Sequence, residues 1–501
     1  MRTLIALSLF CGAMSLLSCA GPCNMGEDCW VSEMNGQTVE MHGTAEFTDD
    51  DRDVKSLSPG GFVRIRDGNW VNAGRVYEVR ADYSGHLTRT YTVDGQPKQM
   101  NGAAQAWVAG AMLHVIRESG IGAPARVQRI LRNGGPNAVL AEVGEIGSDG
   151  SKRTYLRELI EHGRLTDDQL RDAMRTARRV NSDGDKAELL IEVSDATLKN
   201  NVRDAWFGTV NTINSDGDKR RALEHAIRQD AGSVETLSLA ARSAAGINSD
   251  GDKAAVLTEI AQDYKPEVRS NWFRAANSIN SDGDRQHALT VLLRTANGNP
   301  DTLVDLFTTA RGINSDGDKA HFLADAAQYP IASSAAVQAF FAATNTINSD
   351  GDHANVLGAV LRGPNRNGPL VTGVAESAKH INSDGDKAHV LQAVAESRLD
   401  NPALRDAFFD AVNSINSDGD RAQVLTRVLR EPGQPTETVI AAVESATGIN
   451  SDGDKATLLV LAADTHAGNA GVRAALQKAL ESVHSDGDYR RVSSALIRKT
   501  S

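Results

Sequence analysis

Two aspartates flank a glycine in Ser-Asp-Gly-Asp, and paired carboxylates on a tight turn are the raw material of an oxygen-ligand calcium site. Ser-Asp-Gly occurs eleven times in this chain, at Ser148, Ser182, Ser215, Ser249, Ser281, Ser315, Ser349, Ser383, Ser417, Ser451 and Ser485, nearly always within Asn-Ser-Asp-Gly-Asp and at a period of about 34 residues. An EF-hand loop requires an acid two residues before the Asn and a Glu six after the Gly. In the copy at Ser249 those places hold Gly246 and Leu257, and other copies offer Ser278, Thr346 or Ser414 at the first. Two carboxylates per loop could still hold a weak, hydrated ion, so calcium stays as an alternative reading.

The same words have a structural reading that needs no ligand. Serine is a favoured N-cap, and an acid three residues later makes a Ser-x-x-acid box at the start of a helix. The caps on this reading are Ser182 with Asp185, Ser215 with Asp218, Ser249 with Asp252, Ser315 with Asp318, Ser383 with Asp386, and Ser417 with Asp420. The residue before the serine is Asn in nine copies, Gly147 in the first and His484 in the last. These types tolerate the left-handed region, so Asn248, Asn314, Asn382 and their equivalents are expected at positive φ, stopping the preceding helix.

Other chemistries lack a constellation. His287, His321 and His389 take equivalent positions along the repeat and read as solvated surface residues. Ser-Asp-Gly-Asp offers carboxylates where a phosphate loop needs cations and a lysine. No cofactor, catalytic or metal-binding residue is assigned, and the chain is read as not an enzyme.

Repetition this regular specifies the elements around the corners. Apolar residues fall five, eight and eleven positions after the serine, as Ala254, Leu257 and Ile260 or Ala388, Leu391 and Val394, which is one face of a helix. A second helix follows with larger residues, as in Leu404, Phe408, Val412 and Ile415, or Val337, Phe340, Phe341 and Ile347. Trp206, Trp272 and the pairs Phe340-Phe341 and Phe408-Phe409 sit at equivalent places and read as core between layers. Asn299-Pro300 and Asn401-Pro402 place an N-cap and a first-turn proline between the two helices. A pair of helices cannot bury its stripe alone, so the expected architecture is mainly α: an α-solenoid of about ten two-helix repeats over 147–501.

Before it, the period changes to two. Arg75–Arg80 and Leu87–Val93 alternate around a turn at Tyr83-Ser84-Gly85, and pieces at Val39–Phe47 and Gly61–Arg66 complete a small antiparallel β domain of about four strands over 37–99. A helix over 101–119 and two shorter ones near 123–131 and 136–146 form a helical cap, 100–146. Residues 1–18 read as a signal segment and 19–36 as a tether. The net charge of −12, from 53 basic and 65 acidic residues, argues against nucleic acid as a partner. Cys23 and Cys29, six apart, can close a small disulfide loop or remain free thiols, and nothing near them completes a zinc site.

Leu16-Leu17-Ser18-Cys19 resembles the bacterial lipobox, with Leu17 a less typical occupant. The resemblance implies cleavage before Cys19, acylation of that cysteine, and a lipid-anchored protein of the bacterial cell envelope, with Ala20 favouring the outer membrane seen from the periplasm. An ordinary secretory signal cut near Ala20 is the alternative. A second resemblance lies in Asp53-Val54-Lys55-Ser56-Leu57-Ser58-Pro59-Gly60-Gly61, Leu87-Thr88-Arg89-Thr90-Tyr91-Thr92-Val93-Asp94-Gly95 and Gly120-Ile121-Gly122-Ala123. These are similar to the region outside the membrane in bacterial proteins related to antibiotic-sensing membrane metallopeptidases, where a small sheet precedes helical repeats. Their zinc-binding His-Glu-x-x-His is missing; His114-Val115-Ile116-Arg117-Glu118 has the wrong order. The resemblance implies an accessory region without the peptidase.

Together these readings describe a membrane-anchored lipoprotein whose solenoid holds a protein or peptide partner, with a calcium-binding adhesive repeat protein as the alternative and an envelope hydrolase or its regulator as the weaker one. If the serines cap helices, Ser315→Ala lowers stability by about 1 kcal/mol. An unchanged melting curve would count against capping.

Overall fold

Period-two and period-3.6 patterning separate at about residue 100, and the computed structural model follows them. It describes residues 29–34, 36–67, 74–296, 298–364 and 368–498. Cys19, Cys23 and the segment 1–18 lie outside the described residues. The chain divides between Leu165 and Thr166 into two compact units. The first corner, at Ser148, therefore falls in the unit that carries the sheet, whereas the sequence reading began the solenoid at 147.

In the first unit, strands β1 (Cys29–Met34), β2 (Gln37–His42), β5 (Phe62–Asp67), β6 (Arg75–Ala81), β7 (Leu87–Val93) and β8 (Gln96–Pro97) form an antiparallel sheet in the order β1-β2-β5-β6-β7-β8, and β3 (Ala45–Phe47) pairs with β4 (Val54–Leu57). The sheet is larger than the expected four strands. Of its two extra strands, β8 is the short Gln96–Pro97, and β1 lies within the supposed tether and pairs with β2 from Cys29↔His42 to Met34↔Gln37. Asp94 and Gly95, at φ 49° and 75°, make the two-residue turn from β7 to β8 that right-twisted hairpins favour. Alternate residues Val63, Ile65, Tyr77 and Val79 bury against Val108, Met112 and Val115 of α1 (Gly102–Ser119). Gly120, at φ 66°, ends α1, and α2 (Ala123–Glu145) breaks at Gly135, φ 70°, into the two pieces expected. The helix α3 (Asp149–His162) packs on α2.

The second unit is the helical solenoid. It opens with the helix Asp167–Ala177, and each serine from Ser182 to Ser451 then starts a layer whose first helix lies on the first helix of the next, and second on second. The expected core positions Ala254, Leu257 and Ile260 are buried, as are Leu404, Phe408, Val412 and Ile415. Asn299 accepts from the Thr302 N–H at 3.0 Å, and Asn401 from those of Ala403 and Leu404, with prolines at the first helical position.

Layers alternate. Trp206-Phe207, Trp272-Phe273, Phe340-Phe341 and Phe408-Phe409 fall in every second layer, with ring centroids 5.0–5.3 Å apart and planes at 73–89°. The layers between carry smaller pairs, Ala240-Ala241, Val374-Ala375 and Ala442-Val443, or Leu306-Phe307. Large side chains thus mostly meet small ones across layers; the exception is Phe307, whose ring stands edge-on to Phe340 of the next layer at 5.3 Å. Trp206 and Trp272 are fully buried, and each indole N–H finds a carbonyl at 3.0 Å, of Leu190 and Leu257.

Candidate functional site at the repeated corners

The side chains with chemistry in them converge on the corners. Ser182, Ser215, Ser249, Ser315, Ser383 and Ser417 each accept, through Oγ, the backbone N–H of Asp185, Asp218, Asp252, Asp318, Asp386 and Asp420 at 3.2–3.4 Å. The other half of the expected box is made differently. Ser249 N donates to Asp216 of the preceding corner at 2.8 Å rather than to its own Asp252. The aspartate directly after each serine does this throughout. Asp183, Asp216, Asp250, Asp282, Asp316, Asp350, Asp384, Asp418 and Asp452 accept from the serine N–H of the next corner at 2.7–2.9 Å and from the residue before it at 2.8–3.1 Å. These bonds are shorter than the serine caps and charged at the acceptor, so they hold more tightly.

This arrangement corrects the expected left-handed stop. The only non-glycine residues at positive φ among those described are Asp51, Asp94 and Arg164, so Asn248, Asn314 and Asn382 are not in that region. The preceding helix instead tightens, with Gly246 N donating to Ser243 O and Ile247 N to Ala244 O. Ile247 then drops into the core and Asn248 N is received by Asp216. A carboxylate from the neighbouring layer satisfies the donors that a left-handed residue would otherwise have turned away.

The residue after the second aspartate was not singled out from the sequence and belongs to the same site. Lys186, Lys219, Lys253, Lys319, Lys387 and Lys455 are only 4–7% exposed. Each ammonium donates to a carbonyl just before the next corner: Lys253 to Ser278 O at 2.9 Å, Lys319 to Thr346 O at 3.2 Å and its Oγ1 at 2.9 Å. Lys186, Lys253 and Lys455 also face their own first aspartate at 3.5–3.8 Å. A buried ammonium is tolerable only with such partners. Burial lowers the Lys319 pKa, against the pull of Asp316 and Asp282.

Arg285 and Arg421 replace the lysine in two of the intervening layers, donating to Gly312 O and Gly448 O. Glycine leaves room for the guanidinium there: a Cβ on Gly312 would stand 2.5 Å from Arg285 Nη1, and one on Gly448 2.7 Å from Arg421 Nη2, so a side chain would displace the arginine tip. His353 takes the lysine's place in the layer between. It is 1% exposed, and its Nε2 lies 2.9 Å from Ser377 Oγ, whose own hydrogen goes to Asn345 Oδ1 at 2.5 Å. Burial holds the His353 pKa down at about 4, His380 adds to the effect, and Asp350 and Asp316 oppose it.

Chemically, the corner is a closed set of hydrogen bonds to backbone donors, in which Oδ1 of Asp183, Asp250, Asp316 and Asp384 stays buried without a hydrogen-bond partner. The second aspartates meet exposed cations in several layers, as Asp252 meets Arg220 at 2.9 Å. Among the described residues, the grouping of three ligand types close enough for a metal ion is Glu158, Glu161 and His162 on α3, away from the corners' own aspartates, and Glu158 there pairs with Arg157 at 3.1 Å. His287, His321 and His389 are exposed on first helices. In the first unit, Asp53 receives Tyr77 Oη and Arg89 Nε, each at 2.8 Å, beside a cavity of about 680 Å³ lined also by Arg52, Met100 and Gln105. Burial and then Asp53 push the Tyr77 phenol pKa up, so it stays protonated. Among the described residues, no helix is long and apolar enough to cross a membrane.

No protein-family model matches the chain, and no curated protein is similar to it. Among solved structures, one match is a chain of the Chs5-Bch1 exomer cargo adaptor complex, 9% identical, covering 93% of this chain and 85% of that one at a TM-score of 0.15. A superposition that poor carries nothing about function.

Two outcomes follow from the corner geometry. Asp316→Ala strips a charged acceptor from Asn348 N and Ser349 N and costs about 2 kcal/mol, more than Ser315→Ala, in urea melts of the two variants; equal losses would show that the link between layers is no stronger than the cap. For His353, the folded state binds fewer protons than the unfolded one, whose pKa is near 6.5. Its contribution is complete above about pH 6.5 and is lost as pH falls towards about 4, by up to about 3 kcal/mol. His353→Gln should flatten that part of the stability profile between pH 7 and 4.5 (about the range in which an ordinary histidine titrates), and a variant with the wild-type slope would assign the acid sensitivity elsewhere.

Proposed function

We propose that this protein is an exported scaffold, tethered to a membrane through acylated Cys19, that holds a protein or peptide partner on the outward faces of its helical stack and has no catalytic activity of its own. One observation carries the reading. The residues that repeat are consumed by the architecture, serine and both aspartates at the corner and lysine beneath it, whereas the outward positions of the second helices differ from layer to layer. The ninth residue of four of them, in alternate layers, is Arg242, Thr308, Glu376 and Glu444. A rigid lattice of constant corners carrying variable faces suits recognition by area and side-chain pattern rather than a reaction at one point.

The anchor follows from Leu16-Leu17-Ser18-Cys19 and would place the scaffold in the bacterial envelope, on the outer membrane facing the periplasm. Two acyl chains or more hold a protein at a bilayer without a spanning helix. Affinity capture from envelope membranes, with cross-linking before detergent, should recover a distinct partner with the full lipidated chain. Recovery indistinguishable from a tag-only control overturns the scaffold. Cys19→Ala should move the protein out of the membrane pellet, and retention there overturns the anchor.

A further inference from the structure

At one position of the second helices a layer departs from its neighbours by losing its side chain altogether. The sixth residue of the second helix in alternate layers is Leu239, Asp305, Gly373 and Ala441. Only Gly373 lacks a side chain, and the Phe341 ring of the preceding layer lies against it so closely that a Cβ would run into the ring. Beside this contact lies a groove of about 650 Å³ between the helices Ser334–Thr344 and Gly368–Ala378, floored by Val337, Phe341 and Gly373 and edged by Ala342, Thr372 and Glu376. A second depression of about 540 Å³ continues it to the helix Pro402–Asn413 and shares Glu376, with Asp406 and Asp410 on its far side. The two together are long enough for an extended segment of several residues.

Acids outnumber cations around this groove. The helix Ser334–Thr344 has no charged side chain, Glu376 edges the first depression, and Glu376, Asp406 and Asp410 line the second together with Lys379 and His380, Lys379 being paired to Asp410 at 3.3 Å. The next second helix adds Glu437 and Glu444 and no cation. Earlier in the stack the same face is balanced, with Arg203, Arg242, Arg269 and Arg274 against Asp204, Glu235, Asp301 and Asp305. An apolar floor under an acidic rim complements a segment that carries lysines or arginines around one or two large apolar side chains. Removing such side chains from water drives the contact, and the rim selects its sign.

We infer that the groove at Gly373 is the docking site for a cationic, partly apolar peptide segment of the partner, seated with an apolar side chain over Phe341 and its cations towards Glu376, Asp406 and Asp410. The inference rests on the scaffold reading and gives it a location and a ligand chemistry.

The test uses the full chain and two fluorescein-labelled peptides, Lys-Leu-Lys-Phe-Lys-Leu-Lys and its glutamate counterpart, followed by fluorescence anisotropy. The basic peptide should bind and the acidic one should not, and binding should weaken with added salt. Ala342→Trp, which fills the groove from an exposed position, and the double reversal Asp406→Lys with Asp410→Lys should each weaken binding at least about tenfold, a loss near 1.4 kcal/mol. Thr308→Trp, at the equivalent exposed position two second helices upstream of Gly373's, should leave it unchanged, with thermal melts confirming that all variants stay folded. Equal binding by Ala342→Trp and wild type, or equal loss with Thr308→Trp, overturns the site. A partner captured from membranes that tolerates Ala342→Trp leaves the scaffold standing and removes the groove, whereas groove-dependent peptide binding with no captured partner does the reverse.

Discussion

A single carboxylate accepting two backbone N–H groups from the adjoining corner is the constraint on which the helical stack depends. Helix N-termini leave four donors unsatisfied, and most proteins meet them within the same helix. Here the serine meets one locally, and the carboxylate of the preceding layer meets the donors just upstream. Capping and stacking thereby become one interaction. A layer cannot shift along or away from its neighbour without stranding polar groups at a helix end. The buried lysine adds the opposite polarity beneath, tying the same two corners through a carbonyl. Hydrophobic burial supplies most of the driving force between layers, but it is non-directional. The corners are what set the register.

Much of the architecture could be read from residue order. The period, the two helices in each repeat, the serine caps and the Asn-Pro starts are local properties, visible because each depends on neighbours a few positions away. The sheet was also visible, although β1 was taken for a tether because Cys29–Met34 alternates only weakly. What escaped were interactions between residues about 32 apart. Asp216 and Ser249 look like members of two separate boxes until the layers are placed together, and Asn248 looks like a left-handed stop until Asp216 arrives to receive its N–H. Lys253 and its equivalents read as ordinary surface cations after a polar corner, yet the chain turns them under it. The signal was present, since the position after the second aspartate is cationic or histidine in every layer from Ser182 to Ser451. Invariance of a lysine within a repeat is itself a mark of a specific partner.

The functional reading draws on the same division of labour. Where every layer repeats a residue, the lattice explains it. Where layers differ, the lattice is silent and recognition has room to act. Gly373 matters for that reason: where one layer drops a side chain, the Phe341 ring of the preceding layer seats against the bare backbone, at the floor of the groove. The cavity beside Asp53, Tyr77 and Arg89 shows the contrast, since its polar atoms are already engaged with one another.

The alternation of layers also limits how such a chain can change length. Most aromatic pairs have small residues on either side, Phe307 against Phe340 being the exception, and each arginine under a corner lies beside a glycine, Arg285 by Gly312 and Arg421 by Gly448. Excising a layer between two aromatic pairs would bring those pairs face to face, whereas excising two would keep the alternation. A step of two layers, about 68 residues, is therefore the change in length that least disturbs the core, as courses of brick laid in alternating bond come out best in pairs.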